Sequence, residues 1–139
     1  MPLGELTTEE LLENFDLFED WEERYRYLID LGRKLPAFPE SAKNDTNKVD
    51  GCISQVWMTA DVSEETPPRI ILTADSDAHI VKGLIAVLLV VYSHKTAAEV
   101  RAVDINAVFE QLELGSHISV NRRNGFYAMV ERIKQFAAA

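Results

Sequence analysis

The sequence predicts an α+β fold in which a small antiparallel sheet of about three strands packs against several helices. From Val56 to Val62 the hydrophobic pattern alternates strictly, which is typical of a strand with one apolar face. The run 84–91 is instead apolar on every side, which only a buried helix tolerates. The chain has 139 residues, enough to bury a core without metal or disulfide bonds, and we expect a single domain over residues 1–139.

Two helices are predicted before the sheet. Thr7 and Glu10 have the spacing of a capping box at the start of the first helix. Asp20 is expected to cap the second helix, which should end before Pro36. Residues 36–48 are rich in proline, serine, asparagine and aspartate and are therefore predicted to form a loop.

The strands follow this loop. An acidic turn over 63–68 separates the alternating run from a second apolar segment, 69–74, so the two strands should pair antiparallel. A two-stranded ribbon is marginal alone, and a short third strand near 47–50 is expected to extend it.

Helices make up the rest of the chain. Asp75 or Ser76 is expected to cap a long buried helix over 77–92. Gly83 within it costs about 1 kcal/mol relative to alanine, which predicts close approach of another backbone. Further helix caps are predicted at the capping box of Thr96 and Glu99 and at Asp104. The spacing of apolar residues indicates a last helix that begins near 122–125.

The formal net charge of −9 comes entirely from the first half. Residues 1–69 hold 16 acidic and 7 basic residues, whereas residues 70–139 hold 7 of each. An acidic surface repels phosphate backbones, so we expect no nucleic-acid partner. Either a solvated face or a docking face for a basic protein would explain the acidic half.

The compartment is predicted from what the sequence contains. Residues 1–10 carry glutamates rather than a basic and apolar leader, and the apolar run 84–92 is far shorter than the roughly 20 residues that span a bilayer. Cys52 is the only cysteine, so it forms no internal disulfide. We therefore expect a soluble protein of the reducing cytoplasm, with no membrane partner.

Cys52 is the residue most indicative of function. Asp50 and Gly51 precede it and favour a turn, and the strand pattern begins just after it. The thiol should therefore lie on a loop, where it is either reactive or, less in keeping with its flanks, a buried structural residue. Its pKa needs a nearby positive group if the thiolate is to form readily at neutral pH, because free cysteine titrates near ~8.5.

One cysteine and three histidines limit the chemistry. An iron-sulfur cluster needs several thiolates, and a structural zinc site needs four nitrogen or sulfur ligands. His79, His94 and His117 are dispersed without ligand spacing, so no metal and no cofactor is expected. A Cys-His hydrolase would require one of these histidines to meet Cys52 in space.

Three blocks of this sequence resemble the SufE family, the sulfur-accepting partners of cysteine desulfurases. They are 49–57 (VDGCISQVW), 74–84 (ADSDAHIVKGL) and 117–125 (HISVNRRNG). The resemblance extends over nearly the whole chain and implies a SufE/IscU-like fold. The chain departs from the family pattern at two places. In the third block the family usually has a proline and a small residue before the arginine, where this chain has Val120 and Asn121, and in the turn after the long helix the family often has glycine, where this chain has His94.

The resemblance implies that Cys52 accepts persulfide sulfur from a SufS-like cysteine desulfurase, stimulates that enzyme, and delivers sulfur to a SufBCD-like iron-sulfur cluster assembly scaffold. The chain would be a sulfur-transfer partner rather than a stand-alone enzyme. The alternative is a non-catalytic interaction module that activates a partner by binding, with an incidental cysteine.

The resemblance also implies supporting residues. Asp77 falls beside the cysteine loop, although a structural role at the strand exit and helix start would also explain it. Arg122 is the candidate counter-charge or partner contact, and an ordinary exposed arginine at a helix start is the alternative. We expect the loop over 48–54 to move on docking, with Gly51 as its hinge.

Overall fold

The computed structural model describes residues 3–51 and 54–138. In this part of the chain, the helices and strands form an α+β arrangement. The helices are α1 (Thr8–Asp16), α2 (Trp21–Gly32), α3 (His79–Tyr92), α4 (Ala97–Ala102), α5 (Ile105–Gln111) and α6 (Val120–Ala138). The strands are β1 (Val56–Val62), β2 (Arg69–Ser76) and β3 (Lys95–Thr96).

The sheet is antiparallel, with β2 in the centre and the order β1-β2-β3. Val56 lies opposite Ser76, and the register continues to Val62 opposite Ile70. The predicted fold class is confirmed, but the predicted position of the third strand is wrong. Residues 47–50 form only an isolated bridge, between Lys48 and Trp57, and β3 comes instead from the segment after α3.

The core lies between the sheet and α3. Twelve of the fourteen residues of α3 are buried, as its apolar composition predicted. One side of α3 packs against the inward face of the sheet, where Val56, Met58, Leu72 and Ala74 are buried, and the other sides pack against α1, α2 and α6. The apolar face of β1 is covered only along the first part of the strand. Val62, at the far end of that face, is 70% exposed.

The close backbone approach predicted at Gly83 is made by α2. A Cβ atom at Gly83 would collide with the carbonyl oxygen of Leu28, and one at Gly32 would lie 2.7 Å from the backbone nitrogen of Gly83. The two glycines therefore allow the backbones of α2 and α3 to touch where the helices cross. This contact places the N-terminal part of α3 beside α2.

The predicted caps of α1, α2, α4 and α5 are confirmed, including both capping boxes. Two helix starts differ from the predictions. α3 begins at His79 rather than at residue 77, because Asp75 and Ser76 remain paired with β1 as the last residues of β2. α6 begins at Val120, before the expected 122–125, and the Ser119 hydroxyl accepts a hydrogen bond from the Arg122 N–H at 3.2 Å.

No helix in the described part of the chain is both long and apolar enough to cross a membrane.

Candidate functional site

The predicted sulfur acceptor, Cys52, lies outside the described residues, together with Ile53. Both flanks of this pair are described, and they define where the cysteine loop leaves and rejoins the fold. The upstream flank ends at Gly51, and the downstream flank begins at Ser54.

The upstream flank runs beside β1. The Val49 N–H donates to the Val56 carbonyl at 2.8 Å, and the Met58 N–H donates to the Asn47 carbonyl at 2.9 Å. Val49 is buried, so its side chain fixes this flank to the core. The chain leaves the sheet after this point.

Gly51 adopts the backbone conformation expected of a glycine in a turn. Its φ angle is 90°, in the region that favours glycine. A Cβ atom there would also lie 3.2 Å from the Cβ of Ala128 in α6. A side chain at position 51 would therefore be strained by the backbone angle and crowded by α6.

The downstream flank is tied to the end of the sheet by Asp77. The Gln55 N–H donates to the Asp77 carboxylate at 3.0 Å, and the Asp77 N–H donates to the Gln55 carbonyl at 3.3 Å. Asp77 thus lies beside the cysteine loop, and the structure leaves it exposed. Sequence reasoning had identified Asp77 but not its partner, Gln55.

The helix-cap explanation for this segment does not hold for its acidic residues. The residue at the N-cap of α3 is Ala78, which offers no side-chain acceptor. Ser76 accepts a hydrogen bond from the Ala78 N–H at 3.3 Å. Asp75 faces the other side of the sheet, where its carboxylate lies 3.3 Å from the Lys43 ammonium and 3.5 Å from that of Lys82.

A cavity of about 280 Å³ lies against the downstream flank of the loop. Its apolar wall consists of buried side chains, and its polar wall consists largely of exposed ones. The apolar residues are Val81, Leu84, Phe126 and Met129, and the polar ones are Ser54, Ser119, Asn121 and Arg122. A cavity with one apolar wall and one polar wall can hold a small, weakly solvated group against its apolar side.

Arg122 lies at this entrance, in the first turn of α6. It is exposed, and its guanidinium has no ion-pair or hydrogen-bond partner within the part of the chain that the structure describes. The structure therefore brings Arg122 and the loop residue Ser54 to the same cavity, while Asp77 contacts the loop through Gln55.

Trp57 is half-buried, on the face of β1 away from α3. The Lys43 ammonium lies 5.4 Å from the centroid of the indole ring. The hydrogen bonds that Lys43 donates to the carboxylate of Glu40 and then to that of Asp75 raise the pKa of Lys43 above its ordinary value, so its charge persists over this ring. Trp57 is neither a core residue nor a fully exposed one.

The three histidines lie in separate parts of the fold. His79 begins α3, His94 lies in the turn after it, and His117 stacks on Trp21 with ring centroids 3.8 Å apart. Within residues 3–51 and 54–138, no group of three histidine, cysteine or acidic side chains could hold a metal ion.

A comparison with protein families matches residues 9–137 to SufE, described as an Fe-S metabolism associated domain. An uncharacterised SufE-like protein of Rhizobium meliloti is 40% identical over 130 residues, which cover 93% of each chain. One of Rhizobium etli is 41% identical over 142 residues, covering 99% of this chain and 96% of the relative.

A solved structure shows the same fold. The solution structure of a hypothetical protein from Thermus thermophilus superimposes with a TM-score of 0.75 at 20% identity, covering 94% of this chain and 93% of the other. The family match defines a domain associated with iron-sulfur metabolism. The chain belongs to the SufE family.

Proposed function

We propose that this protein accepts sulfur from a cysteine desulfurase onto Cys52 and passes it to an iron-sulfur cluster assembly scaffold. The Cys52 thiolate attacks the outer sulfur of the persulfide on the desulfurase cysteine. A sulfur-sulfur bond forms on Cys52 as the old one breaks, and the desulfurase thiolate leaves. The step is an exchange between thiols, so it consumes no oxidant and needs no metal.

The observation that carries this proposal is the membership of the SufE family, together with the position of Ser54, on the downstream flank of the cysteine, at a partly apolar cavity. A persulfide is reactive toward other thiols and toward oxidants, so a transfer protein benefits from excluding water and small molecules from it. The buried wall formed by Val81, Leu84, Phe126 and Met129 offers such an environment next to Ser54.

Transfer also requires the thiol to reach a second protein. We propose that the loop over 48–54 moves on docking, with Gly51 as the hinge and the Asp77 contact to Gln55 as a latch that forms in the resting state. Arg122, at the cavity entrance and without a carboxylate partner in the described chain, supplies positive charge where the desulfurase arrives. Hydrogen exchange of this loop that stays unchanged on desulfurase binding would contradict the movement.

The proposed partners are those that membership of the SufE family implies. The donor is a SufS-like cysteine desulfurase, whose turnover rises when its persulfide is removed, and the receiver is a SufBCD-like scaffold. The acidic first half of the chain repels nucleic acid and favours basic protein surfaces.

The test compares the native protein with Cys52→Ser in two assays, binding to the desulfurase and stimulation of its turnover. We expect Cys52→Ser to bind with unchanged affinity and to stimulate no longer, because the acceptor thiol is missing. Stimulation that survives in Cys52→Ser would refute sulfur acceptance and favour an interaction module that activates the enzyme by binding alone.

A further inference from the structure

Arg132, near the middle of α6, reaches back to the segment that leads into the cysteine loop. Its Nη2 donates to the Thr46 carbonyl at 2.7 Å, and its Nη1 lies 3.5 Å from the Lys48 carbonyl, at the limit of a hydrogen bond. The guanidinium carbon lies 5.7 Å from the centroid of the Phe136 ring. No carboxylate within the described ranges pairs with Arg132, so its polar partners there are these backbone oxygens.

These two carbonyls belong to the open side of an edge segment. Thr46 lies in a turn, where the Asn47 and Lys48 N–H groups both donate to the Asn44 carbonyl. The backbone groups that face β1 are those of the residues on either side of Lys48. Asn47 and Val49 use theirs to bond with Met58 and Val56 of β1. The Thr46 and Lys48 carbonyls take no part in these bonds to β1, and the segment has no other neighbouring strand in the described structure.

A guanidinium is suited to this edge because its donors form a rigid planar fork that can reach two acceptors at once. An ammonium at the same position could approach one carbonyl but could not hold the spacing between two. The half-buried setting of Arg132 against Phe136 also limits competition from water.

We propose that Arg132 is a positioning residue that fixes the upstream base of the cysteine loop. With Thr46 and Lys48 held on one side and Asn47 and Val49 on the other, the chain is clamped up to the point where Gly51 contacts α6. The clamp thereby sets the resting position of the upstream base of the loop. The role in sulfur transfer rests on the proposed function, whereas the clamp itself does not.

The clamp is tested by hydrogen exchange in three variants. Arg132→Met keeps an apolar side chain but removes the fork, Arg132→Lys keeps the charge, and Lys134→Met is the control on an exposed neighbour in the same helix. We expect exchange over 46–51 to be about tenfold faster in Arg132→Met, as loss of a charge-assisted hydrogen bond predicts, and intermediate in Arg132→Lys. Exchange in α3 should be unchanged in all three.

Equal exchange over 46–51 in Arg132→Met and Lys134→Met would overturn the proposal. An equal rise in α3 would overturn it as well, because Arg132 would then stabilise the fold as a whole rather than this segment.

A second measurement links the clamp to function. The concentration of this protein that half-saturates a cysteine desulfurase should be severalfold higher for Arg132→Met at an unchanged maximal rate, because a looser loop must be ordered on docking. Half-saturation that does not change would refute the role in transfer. If the native protein itself takes no sulfur, the proposed function fails, and the exchange experiment still decides whether the clamp exists.

Discussion

Replacement of Gly83 by alanine tests the packing on which the position of α3 depends. The new Cβ would collide with the Leu28 carbonyl oxygen and lie 2.8 Å from its carbonyl carbon. These are backbone atoms of α2, so they cannot rotate away, and the helices must separate. Such overpacking costs at least about 3 kcal/mol, the upper end of the usual range. Alanine recovers about 1 kcal/mol through its helix propensity, which leaves a net loss of about 2 kcal/mol.

The assay is urea unfolding followed by circular dichroism. A loss of about 2 kcal/mol should lower the urea midpoint by roughly 1 M at an unchanged slope. The matched control is Gly4→Ala, because a Cβ atom at Gly4 would meet nothing within 4 Å. If Gly83→Ala is as stable as the native protein or more so, the proposed backbone contact between α2 and α3 is refuted.

Three further predictions concern single side chains. Asp77→Ala should speed hydrogen exchange of the Gln55 amide about fivefold, because the amide loses its carboxylate acceptor at 3.0 Å. The control Asp61→Ala should leave this rate unchanged, and equal Gln55 exchange rates in the two variants would contradict the latch. His94→Gly should raise the free energy of unfolding by roughly 0.5–1 kcal/mol, measured in urea, because His94 has a φ of 61°; a loss of stability would contradict left-handed strain there. Burial raises the pKa of Tyr92 to about 12, whereas an unfolded tyrosine titrates near ~10. Below pH ~10 the phenol is neutral in both the folded and the unfolded state, so the stability that it contributes is fully present. Between that pH and 12 only the unfolded chain ionises, and the free energy of unfolding should fall by about 1.4 kcal/mol per pH unit. Urea titrations between these pH values should show a shallower decline for Tyr92→Phe, and parallel declines would contradict the assignment.

The local elements of this fold could be predicted from sequence because their signals are local. A capping box such as Thr7 and Glu10 is completed within one helical turn, and the alternation from Val56 is completed within one strand. β3 could not be predicted in this way. It has two residues, too few to show a period, and it exists because the chain after α3 returns to the edge of β2.

The candidate site also combines a local feature that the sequence predicts with contacts between distant residues that it does not predict. The turn at Gly51 could be predicted, because a left-handed residue before a strand has a compositional signal. The contact of Asp77 with Gln55 spans 22 positions, and that of Arg132 with Thr46 spans 86. No spacing rule connects residues so far apart, since their meeting depends on how α6 and the sheet pack.

The central claim is that Cys52 carries sulfur, and intact mass measures this most directly. The reduced protein and Cys52→Ser are each incubated with a cysteine desulfurase and free cysteine, and their masses are compared before and after treatment with a reductant. We predict that the native protein gains the mass of one sulfur atom, that reductant removes it, and that Cys52→Ser gains nothing. A native protein that gains no sulfur, or a Cys52→Ser variant that gains as much, would contradict the account.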